Sequence, residues 1–134
     1  MGKGKFNCIL LIDDDKITNY INVKLLNKSE IGNKIDVAHN GEEGISLIEK
    51  FCSVNNKCCP ELIFLDINMP VMNGFEFLNA FKKMKINNKD CVHIVVLTTS
   101  NNERDIEIIK QFGLKILNKP LTESKVQEVL IELV

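Results

Sequence analysis

Long apolar stretches are missing from this sequence. No uninterrupted apolar run exceeds five of its 134 residues, against the roughly 20 that a membrane-spanning helix needs. The start, Met1-Gly2-Lys3-Gly4-Lys5, leads straight into a strand-like run without the apolar region of a secretory signal. An excess of one charge is missing too: 17 Lys and Arg against 18 Asp and Glu leave a net charge of −1. The basic residues are scattered and no basic block alternates with aromatics, so direct nucleic-acid binding and membrane attachment lack support. No Cys-x-x-Cys pair occurs, and the five cysteines (Cys8, Cys52, Cys58, Cys59, Cys91) are odd in number. Reduced, mostly structural thiols in a cytoplasmic protein are therefore expected, with a redox switch at Cys58 and Cys59 as the sharper alternative. What remains is ordinary globular composition, 45% apolar and 26% charged with 7 Gly and 3 Pro, and residues 1–134 are read as a single domain with a full core.

The period of hydrophobicity alternates along the chain. Cys8–Ile12, Leu62–Leu65 and Ile94–Leu97 are continuous apolar runs, and Ile116-Leu117 is a shorter one; such runs suit strands buried on both faces of a parallel sheet. Ile35–Ala38 is more polar and reads as an edge strand. Between them lie helical spacings. Ile17, Tyr20, Ile21 and Leu25 mark the first helix. Asn40 with Glu43 caps a second, with Ile45, Ile48 and Cys52 as its buried stripe, and Asn73 with Glu76 caps a third ahead of Phe77, Leu78 and Phe81. Ile106, Ile109 and Phe112 mark a fourth, stopped at Gly113. In the fifth, Thr122 caps, Leu121 and Val126 form a staple, and Val126, Val129, Leu130 and Leu133 face inward. Five strand–helix units predict an α/β protein with a five-stranded parallel sheet. The doubly wound (βα)5, flavodoxin-like order 2-1-3-4-5, with helices on both faces, opens a crevice between strands 1 and 3. Gly44, inside the second helix, has no explanation at this level.

Each buried run ends in a polar group: Asp13-Asp14-Asp15, Asp66, Thr98-Thr99-Ser100 and Asn118-Lys119-Pro120. In a parallel sheet these ends share one edge, which gathers acids, a hydroxyl and an ammonium around the crevice. Clustered carboxylates repel unless a cation joins them, and oxygen-only donors suit a hard ion such as Mg²⁺. Lys119 can hold a phosphoryl oxygen or a carboxylate, and Thr98 can donate to the same oxygen. These parts suit phosphoryl transfer to a carboxylate. Taken singly each is ordinary: an acidic run opposes a helix dipole, and a lone Asp after a strand is commonly a turn residue. Their joint order carries the reading.

Leu11-Ile12-Asp13-Asp14-Asp15, Leu65-Asp66-Ile67-Asn68-Met69-Pro70 with Met72-Asn73-Gly74, Val96-Leu97-Thr98 and Lys119-Pro120 together resemble the receiver domain of bacterial two-component response regulators, of the stand-alone single-domain type. The likeness runs from Ile9 to Leu133. It implies that Asp66 is the phosphoacceptor and that Asp14, Asp66 and the backbone carbonyl of Asn68 coordinate Mg²⁺, with Asp13 assisting through a water. It further implies that Lys119 binds a phosphoryl oxygen, that its bond to Pro120 is cis, and that Thr98 turns inward on phosphorylation. Three positions depart from the pattern: Ile116 replaces the usual aromatic switch residue, Thr99 is bulkier than usual, and the Cys52–Pro60 segment is long and polar, as a surface loop would be. Asn68 and Ser100 lie where the family tunes phosphate hydrolysis.

The expected role is a signalling switch in a phosphorelay rather than an enzyme acting on a separate substrate. A sensor histidine kinase or histidine phosphotransfer protein would donate the phosphoryl group. With no output segment beyond the fifth helix, a downstream protein target would be met on the helix 4–strand 5–helix 5 face, or a phosphorylation-dependent dimer would form. The alternatives are a receiver fold used only for interaction, and a Mg²⁺-dependent phosphatase of the haloacid dehalogenase type using Asp13 and Asp15. A flavin module is disfavoured, because an acidic first loop repels phosphate. His39 and His93 lie outside the acidic group.

Overall fold

The computed structural model describes residues 6–52, 59–86, 89, 92–99 and 102–133. Its elements alternate as β1 (Phe6–Ile12), α1 (Lys16–Ser29), β2 (Gly32–Ala38), α2 (Gly41–Phe51), β3 (Leu62–Asp66), α3 (Gly74–Lys83), β4 (His93–Thr98), α4 (Glu103–Gln111), β5 (Lys115–Asn118) and α5 (Glu123–Leu133). All four strand pairings are parallel and give the expected order β2-β1-β3-β4-β5. The continuous apolar runs are explained by the pleat. Along β1, Ile9 and Leu11 join the core beneath α1 and α5 with Leu26, Phe64 and Val126. Leu10 and Ile12 join the opposite core with Ile48, Leu65 and Phe77. β2 at the sheet edge is mostly half-buried or exposed.

The caps fall where the polar residues allow them. The Asn73 side chain accepts from the Glu76 N–H at 2.9 Å while Glu76 accepts from the Asn73 N–H at 3.0 Å, a complete capping box. Asn40 accepts from the Glu43 N–H at 2.8 Å, and Thr122 accepts from the Lys125 N–H at 3.2 Å. The inward stripes of α2, α3, α4 and α5 match their spacings.

α1 does not follow its spacing. Ile17, Tyr20 and Ile21 are 71%, 62% and 55% exposed, while the buried positions are Asn19, Asn22 and Leu26. Of the expected stripe only Leu25 packs against the core, beside Val23 and Leu26, while the Asp15 side chain caps the helix at its start. The thiol expectation is also corrected. Cys8 is free and buried, but Cys52 is bonded to Cys59, with Cα atoms 4.4 Å apart. Cys52 closes α2 and Cys59 lies shortly before β3. Cys58 and Cys91 lie outside the described residues.

Gly44 now has a reason. A Cβ there would meet Ile12 Cδ1 at 2.7 Å and Phe77 Cε1 at 3.2 Å, so its absence lets α2 lie close to the sheet and α3. Gly74 is tighter still. A Cβ would fall 2.7 Å from the Ile67 Cα and 2.8 Å from the Asp66 carbonyl oxygen, and its N–H donates to the Ile67 carbonyl at 2.8 Å. The start of α3 is thus pressed against the backbone that carries Asp66. Gly74→Ala is expected to cost about 2–3 kcal/mol, at the upper end for overpacking, because backbone rather than a side-chain tip must move. Chemical denaturation measures it; a loss below about 0.5 kcal/mol, the range of neutral surface changes, would contradict this packing.

Candidate functional site

The register sets the site. Ile12 pairs with Leu65, Asp66 with Leu97 and Thr98 with Asn118, so Asp13, Asp66, Thr98 and Lys119 leave neighbouring strands at one edge. Carboxylate oxygens of Asp13, Asp14 and Asp66 lie within 4.8 Å of one another. Asp13 and Asp66 are buried and Asp14 is exposed. Lys119 Nζ donates to Asp13 Oδ2 at 2.7 Å and sits 3.4 Å from Asp66 Oδ1. The Lys119–Pro120 bond is cis, as the family resemblance implies, and the Lys119 N–H donates to the Thr98 carbonyl at 3.0 Å. Thr98 itself is 1% exposed.

Asp15 separates from its neighbours. Its side chain accepts from the Ile17 N–H at 3.0 Å and the Thr18 hydroxyl at 3.0 Å, capping α1. The Thr18 contacts hold its carboxyl below the usual range. The Asp13/Asp15 pairing that a phosphatase would need is therefore absent, since Asp15 serves the helix. Asn68 lies exposed in the loop after β3, and Ile116 is half-buried against Ile67, Val96 and Ile109. Thr99 is exposed; Ser100 is outside the described residues. In the loop after β3, Val71 takes φ 67° and is 73% exposed, a left-handed conformation that a β-branched residue adopts only under constraint. Nothing in the sequence pattern signalled that strain or the burial of Asn19.

Burial, then the negative charge of Asp13, pushes the Asp66 carboxyl up to about 6, with Lys119 opposing both. Burial works against the Lys119 ammonium, but the hydrogen bond to Asp13 and the charge of Asp66 hold it above its usual range. Asp13 thus takes the better share of the lysine, and Asp66 is left undercompensated. Three carboxylates around one ammonium leave excess negative charge, and the donors are all oxygen. Among the described residues this is the group of acids that could hold a metal ion, and its chemistry fits a hard divalent cation. The sign of the linkage follows from the raised value. The folded chain holds the Asp66 proton more tightly than the unfolded chain, so this group's stabilisation is present at low pH and is lost as pH rises through about 6. In metal-free protein, Asp66→Asn is expected to add on the order of 2 kcal/mol at neutral pH and little near about pH 4. Urea unfolding in chelator measures both; an equal gain at the two pH values would remove Asp66 ionisation as its cause.

Comparison with known proteins agrees with this arrangement. The response regulator receiver domain model matches residues 9–131. The chain is 35% identical over 125 residues to two-component response regulator 24 of Arabidopsis thaliana, covering 92% of this chain and 81% of that protein. It is 30% identical over 142 residues to hybrid signal transduction histidine kinase B of Dictyostelium discoideum, covering 97% of this chain but 6% of that much longer protein. Among solved structures, a two-component response regulator from Cytophaga hutchinsonii superimposes with a TM-score of 0.83 at 26% identity, covering 95% of this chain and 96% of that one. The chain belongs to the response regulator receiver domain family, the signalling module of two-component phosphorelays.

Proposed function

We propose that the whole chain, residues 1–134, is one cytoplasmic receiver domain whose phosphoacceptor is Asp66. We further propose that Asp14, Asp66 and the backbone carbonyl of Asn68 hold Mg²⁺ beside it, with Asp13 assisting through a water. The observation that carries this reading is the state of Asp66. It is 6% exposed at the end of the central strand, raised to about 6, and 3.4 Å from an ammonium that bonds another acid more closely. A buried carboxylate that its neighbouring ammonium matches only loosely is placed to act as a nucleophile. An Asp66 oxygen attacks phosphorus, the bond from phosphorus to the donor histidine nitrogen breaks, and an acyl phosphate remains on Asp66. Mg²⁺ would supply charge neutralisation for the transferring group. Lys119 reaches a phosphoryl oxygen by a small movement from Asp66, and Thr98 at the end of β4 donates its hydroxyl to the same group.

The donor is a sensor histidine kinase or a histidine phosphotransfer protein, and it must bring an imidazole to the crevice while resting on its rim. The outward face of α1 supports a docking role: Ile17, Tyr20 and Ile21 form an exposed apolar stripe starting two residues after the Asp15 cap. A downstream protein target, or a second phosphorylated copy, takes the α4–β5–α5 face, and neither nucleic acid nor membrane is a direct partner. No helix among the described residues is long and apolar enough to cross a membrane.

Intact mass after incubation with Mg²⁺ and acetyl phosphate tests the acceptor. One phosphoryl group is expected on the native chain, and none on Asp66→Asn or in chelator; equal labelling of Asp66→Asn would sink the assignment. The docking face has a separate test. The double change Tyr20→Ser with Ile21→Ser is expected to slow transfer from a phosphohistidine protein by about tenfold or more, as loss of interface anchors does, while acetyl phosphate still labels the variant at the native rate. Unchanged transfer from the protein donor would place docking elsewhere.

A further inference from the structure

Asn19 is a polar side chain in an apolar setting. It lies on the buried face of α1 with Asn22 and Leu26, is 5% exposed, and its Oδ1 has no hydrogen-bond partner among the described residues. A buried acceptor left in that state is unfavourable, and an apolar residue of similar size would pack there without that cost. Its other end is engaged: Asn19 Nδ2 donates to the backbone carbonyl of Asp13 at 2.8 Å.

That bond completes a set. The Asp13 N–H donates to the Ala38 carbonyl at 3.0 Å, Asp13 Oδ1 accepts from the Asp15 N–H at 2.9 Å, and Asp13 Oδ2 accepts from Lys119 at 2.7 Å. Among the described residues, Asn19 supplies the side-chain hydrogen bond to the Asp13 carbonyl. A carbonyl and the N–H that follows it share one planar peptide unit. Holding the Asp13 carbonyl therefore fixes the plane from which Asp14 departs. Asp14 needs that help most, because it is exposed and, among the described residues, no hydrogen bond from another residue aims its carboxylate at the cluster.

We propose that Asn19 is a positioning residue for the cation site: through the Asp13 carbonyl it aims Asp14 at Asp66, at the expense of helix packing. The inference rests on the metal-site reading above. Its signature is opposite effects on stability and on metal affinity, which a merely structural asparagine would not show. Residues that hold metal ligands from behind change affinity by about tenfold or more.

The test is Mn²⁺ binding followed by the spin-resonance signal of the free ion, with metal-free urea unfolding run beside it, on the native chain, Asn19→Leu and Asn19→Ala. The native chain should bind one Mn²⁺. Asn19→Leu should bind about tenfold more weakly while unfolding at an equal or higher urea concentration. Asn19→Ala, which removes the same bond with less added bulk, should weaken binding similarly and serves if the leucine does not fold. Native-like affinity in either folded variant overturns the role of Asn19 and leaves the metal site intact. No Mn²⁺ binding by the native chain overturns the metal-site reading and this inference together.

Discussion

Mutual repulsion of carboxylates at the carboxyl edge of the sheet governs the rest of this molecule. Two unit charges at the 4.8 Å that bounds the cluster repel by about 3 kcal/mol at an effective dielectric near 20, and three acids contribute several such pairs. Parallel topology forces the encounter, since the ends of β1 and β3 cannot point apart while their strands are paired. Lys119 relieves part of it, and it can do so because β5 and the turn after it deliver the ammonium from across β4. Burial, and after it the repulsion from Asp13 that Lys119 does not cancel, raises the carboxyl of Asp66. A cation held by this acidic cluster would meet charges that are already in place, with little reorganisation.

The three acids are not equivalent, and their differences follow from burial and bonding. Asp13 has both carboxylate oxygens, its carbonyl and its N–H engaged, which makes it a fixed post. Asp14 is exposed and depends on the backbone for its direction. Asp66 is buried but only loosely matched by Lys119, 3.4 Å away, as the proposed phosphoacceptor would be. Asp15, adjacent in sequence, belongs to the helix instead. One run of identical residues thus divides into a post, a ligand candidate and a cap according to the strand end and the helix start between which it falls.

Strand order and the gathering of Asp13, Asp14, Asp66 and Lys119 at one edge were legible because they rest on coarse signals. Continuous apolar runs announce two-sided burial, and a polar residue at the end of each run must emerge at the shared edge. Rotation about a helix axis is a finer matter. In α1 the spacing of Ile17, Tyr20 and Ile21 suggests a core face, yet these residues point outward, because the Asp15 cap and the bond from Asn19 to the Asp13 carbonyl set the rotation. Polar contacts at one end of a helix outweighed its hydrophobic pattern, and no periodicity argument contains them. The pairing of Cys52 with Cys59 was hidden for a related reason. A separation of seven positions says nothing until the crossover from α2 to β3 is closed.

Gly44, Gly74, Val71 and Asn19 are the positions where local preference and native structure disagree, and they are not spread at random. Gly74 forgoes a side chain so that α3 can rest on the backbone of Asp66. Val71 holds a left-handed conformation in the same loop, at a cost on the order of 1–2 kcal/mol. Asn19 leaves an acceptor unpaired beneath Asp13. Gly44 is the exception in location but not in kind: it lets α2 close over Ile12, the residue that precedes the acids. Sequences depart from local consistency chiefly where function or strain requires it. Here those departures surround one strand end and the strand beside it, so the price in stability is concentrated where the acids are held.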